Sequence, residues 1–118
     1  MISLEEINQV ARAIGEASKA ERVILFGSHA TGRASPESDV DFLVIAESDL
    51  PRHKRSRELY KQIRPHRFPM DILVVTPSEA ERANESNVTF IHRALQEGKA
   101  VYVREYGHRS AVDRQSRE

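Results

Sequence analysis

Continuous apolar runs alternate along the chain with stretches in which apolar residues recur at helical spacing. The continuous runs are typical of buried strands, and three of them occupy residues 22–26, 40–45 and 70–75. A shorter run at 100–103 predicts an edge strand. Strands separated by helical stretches indicate an α/β (α+β) fold in which helices cover a sheet.

The helical stretches have recognisable beginnings and ends. Ser3 and Glu6 have the spacing of a capping box ahead of the apolar stripe at residues 7–17, which predicts a first helix of about four turns. Three more helices are predicted: residues 51–64, a short helix behind Pro77 with Ser78 and Glu81 as its capping box, and a helix through Val88 and Leu95 that Gly98 stops.

The first loop between strands carries a phosphate-binding pattern. The segment from Gly27 to Ser38 is rich in Gly, Ser, Thr and Pro, so we expect a functional loop with one short helix. Gly27 and Ser28 open it, and a Gly-Ser turn before a helix offers backbone N–H groups and a hydroxyl to a phosphate. Because Gly-Ser pairs are common, this signal is weak without its neighbours.

Two carboxylates follow this loop at strand spacing. Asp39 and Asp41 are two residues apart, so they leave the second strand on the same face. Like charges at this distance favour a cation between them, and oxygen ligands suit Mg²⁺. The alternative is that both are solvated residues at the strand entry, which is the commoner case for an isolated Asp-x-Asp.

A third carboxylate lies inside the apolar run at 70–75. Burial of Asp71 without a partner would be costly, so we expect a cation near it. If the three strands are neighbours, Asp39, Asp41 and Asp71 converge beside Gly27 and Ser28. Three carboxylates for two metal ions next to a phosphate cradle suit two-metal phosphoryl or nucleotidyl transfer.

Composition narrows the alternatives. The 118 residues contain no cysteine, which excludes thiolate metal sites, disulfides and thiol nucleophiles. No apolar run reaches 18 residues and the start of the chain does not have the pattern of a signal peptide, so we expect no membrane association and a cytoplasmic protein. One domain is expected over residues 1–106, and the polar tail at 107–118 is expected to be disordered.

The net charge of zero hides an uneven distribution. Residues 1–50 carry 9 acidic and 4 basic side chains, whereas residues 52–67 carry 1 acidic and 7 basic ones. The basic segment is either a solvated helix face or a docking surface for an acidic partner or RNA. It is too local for a domain-wide nucleic-acid footprint, and no sequence-specific nucleic-acid binding is expected.

Together these motifs resemble a known family. The string GSHATGRASPESDVDFLV, with a later strand carrying Asp71, is similar to the signature of the DNA polymerase β nucleotidyltransferase superfamily. More narrowly, the chain resembles the minimal nucleotidyltransferases (MNT), which are often antitoxins paired with a HEPN-domain toxin. The resemblance covers about residues 3 to 104 and implies a small mixed sheet flanked by helices.

The resemblance also implies roles for the motif residues. Gly27 and Ser28 would hold the triphosphate of ATP, and Asp39 and Asp41 would bind two Mg²⁺ ions. Asp71 would complete the catalytic metal site and act as base toward the incoming hydroxyl. The implied reaction transfers AMP from ATP to a tyrosine of the HEPN toxin within a hetero-oligomer, which blocks the toxin's RNase site.

Two other functions remain open. In one, the protein neutralises a toxin by docking alone, with an inactive pocket. In the other, it transfers a nucleotide to a small molecule such as an aminoglycoside, or to RNA. We expect this last function less because such enzymes generally carry an added substrate domain, which 118 residues do not accommodate.

Overall fold

Helices and strands follow one another along the chain in the predicted order. The structure, a computed structural model, describes residues 2–86 and 89–104. The strands are β1 (Arg22–Phe26), β2 (Val40–Ile45), β3 (Met70–Val75) and β4 (Lys99–Val103). The helices are α1 (Leu4–Ser18), α2 (Ser28–Thr31), α3 (Arg55–Gln62), α4 (Pro77–Ser86) and α5 (Thr89–Glu97), with a 3₁₀ turn at Arg52–Lys54 before α3.

The four strands form one mixed sheet in the order β3-β2-β1-β4. β1 is antiparallel to β2 and β4, whereas β2 and β3 are parallel. The register places Phe26 of β1 opposite Asp41 of β2, and Asp41 opposite Asp71 of β3. One row across three strands therefore holds an aromatic ring and two carboxylates, and the first three predicted strands are neighbours.

Helices cover both faces of the sheet because β2 is apolar on both sides. Val40, Phe42 and Val44 lie in the cluster that α1 and α3 complete. Leu43 and Ile45 lie in the cluster that α4 and α5 complete. Since side chains alternate along a strand, Asp41 lies on the α4 and α5 face.

The helix boundaries partly follow the sequence pattern. The capping box of Ser3 and Glu6 at the start of α1 is confirmed. The predicted capping box of Ser78 and Glu81 is wrong: α4 begins at Pro77, and Thr76 exchanges hydrogen bonds with Glu79. Proline is favoured in a first helical turn, so this helix starts two residues earlier than predicted.

Some predictions lie outside the described residues, namely Val88 and the tail at 107–118. Among the helices that the structure describes, none has the length and apolar character that crossing a membrane requires.

The basic segment contributes one buried arginine to the fold. The Arg55 side chain is 8% exposed and donates to Glu79 at 2.6 and 3.2 Å. It also donates to the carbonyls of Leu50 and Val74 at 2.8 and 3.2 Å. Arg55 is therefore neither part of a solvated helix face nor part of a docking surface, which were the two interpretations of the basic segment. Its guanidinium joins α3 to α4 and is not available to a partner.

Candidate active site

The turn of Gly27 and Ser28, predicted to bind phosphate and called the phosphate turn below, lies at one end of the sheet. The three predicted carboxylates of Asp39, Asp41 and Asp71 lie at the same end. β1 ends there, β2 and β3 begin there, and α2 starts immediately after β1. The Val40 N–H donates to the Pro69 carbonyl at 3.1 Å, which fixes the start of β2 against the start of β3. Asp39, just before β2, is therefore held near Asp71.

Gly27 brings the backbone against a carboxylate. Its φ of 77° lies in the region that favours glycine, and a Cβ built there would meet Oδ2 of Asp41. A side chain at this position would displace the carboxylate. Ser28, which follows as the first residue of α2, is partly exposed at the same end of the sheet.

Asp41 is the partly buried member of the three carboxylates. Burial raises its pKa, the neighbouring charges of Asp71 and Asp39 raise it further, and a hydrogen-bonding contact with the Asp71 side chain adds to the effect. His29 acts in the opposite direction. The charges of Asp39 and Asp71 thus act on Asp41 as the sequence predicted, and in the protein alone they disfavour its ionised form.

Asp71 is exposed, so the expectation of a buried carboxylate within the apolar run is wrong. β3 is the last strand on its side of the sheet, and Asp71 lies near its start. On the same face but further along the strand, Val75 belongs to the buried cluster with α4 and α5, and the partly buried Leu73 packs against that cluster. The carboxylate of Asp71 is therefore accessible from solvent at this end of the sheet.

His29 links the phosphate turn to the end of the loop. Its Nε2 lies 3.3 Å from the Ser38 carbonyl, and the tautomer with a proton on Nε2 donates to that oxygen. Because Ser38 precedes Asp39, this contact connects α2 to the first carboxylate. The only sequence signal for His29 was its position directly after Ser28.

Tyr60 of α3 is hydrogen-bonded to the free edge of β3, at the residues before and after Asp71. Its hydroxyl donates to the Met70 carbonyl at 3.3 Å and accepts from the Ile72 N–H at 2.8 Å. Burial raises the pKa of Tyr60, the Ile72 N–H partly offsets this, and the charges of Asp71 and Asp39 raise it further. In the helix predicted at 51–64, Tyr60 forms an apolar stripe with Leu59 and Ile63, and this local pattern does not indicate the contact with β3.

The chemistry of these side chains suits Mg²⁺, although they are not gathered into a complete ligand set. Carboxylate oxygens are the ligands that Mg²⁺ prefers, and a cation would relieve the repulsion that raises the pKa of Asp41. Among residues 2–86 and 89–104, no group of three or more His, Asp or Glu side chains is arranged to hold a metal ion. Mg²⁺ sites are commonly completed by substrate phosphates, which is compatible with this arrangement.

Comparisons with known proteins point to one family. The family model described as polymerase beta, nucleotidyltransferase, matches residues 8–106. A protein of Methanocaldococcus jannaschii, named as a candidate protein adenylyltransferase, is 39% identical over 56 residues. That alignment covers 48% of this chain and 56% of the relative, so the chain spans little more than half of the relative's length.

Solved structures agree with the fold. The crystal structure of a candidate nucleotidyltransferase from Sulfolobus solfataricus matches with a TM-score of 0.61 at 20% identity, over 88% of this chain and 83% of that one. This similarity confirms the predicted fold. A toxin-antitoxin crystal structure with AMP-PNP gives a TM-score of 0.49 at 17% identity, over 93% of this chain and 85% of that one. That value is too low to support an argument.

Proposed function

The chain belongs to the polymerase β nucleotidyltransferase family, and from this premise we propose that it is a Mg²⁺-dependent protein adenylyltransferase. In this proposal it transfers AMP from ATP to a tyrosine of a HEPN-domain toxin and so acts as an antitoxin. The observation that carries the proposal is the position of Gly27 against Asp41, with Asp71 opposite on the next strand. The name of the Methanocaldococcus jannaschii relative supports a protein acceptor.

The phosphate turn would bind ATP through its backbone and hydroxyl. Because Gly27 has no side chain, the triphosphate can approach the chain closely beside Asp41. Ser28 would donate its hydroxyl to a phosphate oxygen. Mg²⁺, held by Asp39, Asp41 and Asp71 together with the phosphates, would neutralise the charge that develops during transfer.

Asp71 would supply the base. Its exposed carboxylate accepts the proton of the incoming tyrosine hydroxyl, whose oxygen then forms a bond to the α-phosphorus. The bond from that phosphorus to the bridging oxygen breaks, and diphosphate leaves. Tyr60 keeps Asp71 in position during this step, because it ties the backbone groups on either side to α3.

The test compares wild type with the double variant Asp39→Asn and Asp41→Asn. Asparagine keeps the size of each side chain but removes the charge, so Mg²⁺ binding should be lost while the fold survives. With the partner, ATP and Mg²⁺, wild type should add the mass of AMP to the intact partner, and the variant should add nothing. Asp49→Asn, an exposed residue beyond the opposite end of β2, is the matched control and should behave as wild type.

The same experiment separates catalysis from docking. If wild type neutralises the toxin without changing its mass, and the double variant neutralises it equally, the protein acts by binding and the adenylyltransferase proposal fails. In EDTA the double variant should melt no lower than wild type, because like charges around Asp41 are removed. A much lower melting temperature would show that the substitutions damage the fold.

A further inference from the structure

An aromatic side chain lies beside the carboxylates on the same face of the sheet. Phe26 is directly opposite Asp41 in the antiparallel pair of β1 and β2. Side chains in such positions share a face, with Cβ atoms about 5 Å apart. The row across the sheet therefore reads Phe26, Asp41, Asp71, from an apolar end to an acidic end.

A second aromatic ring extends the apolar end. Phe90, in the first turn of α5, contacts Phe26 edge to face, with ring centroids 5.5 Å apart and planes at 80°. Phe26 is half-buried, but Phe90 is 55% exposed. Single exposed apolar residues are ordinary, and Leu4 and Val103 are exposed as well, so the position of Phe90 matters more than its exposure.

From this juxtaposition, and resting on the proposed function, we propose that Phe26 and Phe90 form the nucleobase site, with Phe90 stacking on the base of the bound nucleotide. The base is flat and uncharged, whereas the phosphates must lie by Gly27 and Asp41. Aromatic side chains bind bases by stacking on their flat faces.

The layout of the row favours the nucleobase over the acceptor as the occupant of this aromatic pair. Asp71, the proposed base toward the acceptor hydroxyl, lies at the opposite end of the row from Phe26. Attacking and leaving oxygens lie on opposite sides of the reacting phosphorus in an in-line displacement. The acceptor therefore approaches from the Asp71 side and the diphosphate leaves on the side away from it, while the ribose oxygen is a lateral substituent of the phosphorus. The nucleoside is thus not directed along that line, and the aromatic pair, at the far end of the row from the acceptor, offers its base an apolar surface.

The experiment measures binding of two probes, ATP and inorganic tripolyphosphate, by calorimetry in the presence of Mg²⁺. Phe90→Ala should raise the dissociation constant of ATP about tenfold and leave that of tripolyphosphate unchanged, since only ATP has a base. Phe90→Trp should restore ATP binding because it keeps a stacking surface. Val103→Ala removes a similarly exposed apolar side chain from β4 and serves as the control, with no expected effect on either probe.

Each other result overturns the inference. Unchanged ATP affinity in Phe90→Ala refutes it. If the same variant instead raises only the KM for the acceptor protein in the transfer assay, the ring binds the acceptor and not the nucleobase. Equal weakening of both probes would indicate damage to the phosphate turn. Wild type that binds no ATP at all would refute the proposed function itself, whereas normal wild-type binding with an unaffected Phe90→Ala refutes only the nucleobase site.

Discussion

Glu79→Gln should destabilise the protein, and the loss should shrink in acid. The Glu79 carboxylate accepts two hydrogen bonds from Arg55 and one from the Thr76 N–H at 3.0 Å. Arg52 lies 3.8 Å away on the exposed side. The substitution keeps the shape of the side chain but leaves the buried guanidinium of Arg55 without a counter-charge.

The magnitude follows from the pKa of Glu79, which the Arg55 hydrogen bonds lower from 4.5 to about 2. At about 1.36 kcal/mol per pKa unit this corresponds to about 3 kcal/mol, and since the Glu79 side chain is 20% exposed, solvent screening reduces the expected loss to about 2 kcal/mol. Because the folded pKa is depressed, the stabilisation is complete above the unfolded value of 4.5 and is lost as pH falls toward 2. By pH 3.5 about two-fifths of it should be gone.

Urea unfolding at a series of pH values measures this difference. At pH 7 the midpoint of Glu79→Gln should lie roughly 1 M below that of wild type, and the gap should narrow below pH 4.5. Glu81→Gln, at an exposed position on the same helix, is the matched control and should shift the midpoint little. A gap that is the same at pH 7 and pH 3.5, or one no larger than that of the control, would refute the assignment of this stability to the ion pair.

Two further predictions concern the candidate site. Gly27→Ala should melt lower and bind ATP more weakly than Gly32→Ala in thermal-shift and calorimetric assays, because both positions have positive φ but only at Gly27 does a Cβ meet Asp41. Equal effects would show that backbone strain alone matters. Tyr60→Phe removes the hydroxyl that binds the backbone on both sides of Asp71, so it should cost about 1–2 kcal/mol of stability in urea unfolding. The same variant should lower kcat while changing the KM for ATP little, because the position of Asp71 is affected and the phosphate turn is not. An unchanged kcat would limit Tyr60 to a structural role.

Much of the fold follows from local patterns in the sequence. Strand positions were predictable because runs such as residues 40–45 are apolar on both faces, as a strand covered by helices on both sides must be. The start of α1 was predictable because its cap uses residues three apart in the chain. The motif also indicated that Asp41 and Asp71 would be neighbours, once the strand order was assumed.

The missed features depend on contacts between distant parts of the chain. Two residue pairs fit the capping pattern before α4, namely Thr76 with Glu79 and Ser78 with Glu81. Only Glu79 also binds Arg55 of α3, a contact that the local pattern does not show. The exposure of Asp71 follows from the edge position of β3, which strand periodicity does not specify. Likewise, no local signal joins Phe26 to Phe90, which are 64 residues apart in the chain.

The hydroxyl of Tyr60 has a consequence for assembly. Edge strands present unpaired backbone groups that invite pairing with another chain, and β3 is such a strand. Tyr60 occupies the Met70 carbonyl and the Ile72 N–H, which are the groups that an added strand would use beside Asp71. Growth of the sheet by strand addition is therefore blocked where Asp41 and Asp71 lie. Among the described strands, β4 is the edge at which a partner could extend the sheet without displacing this hydroxyl.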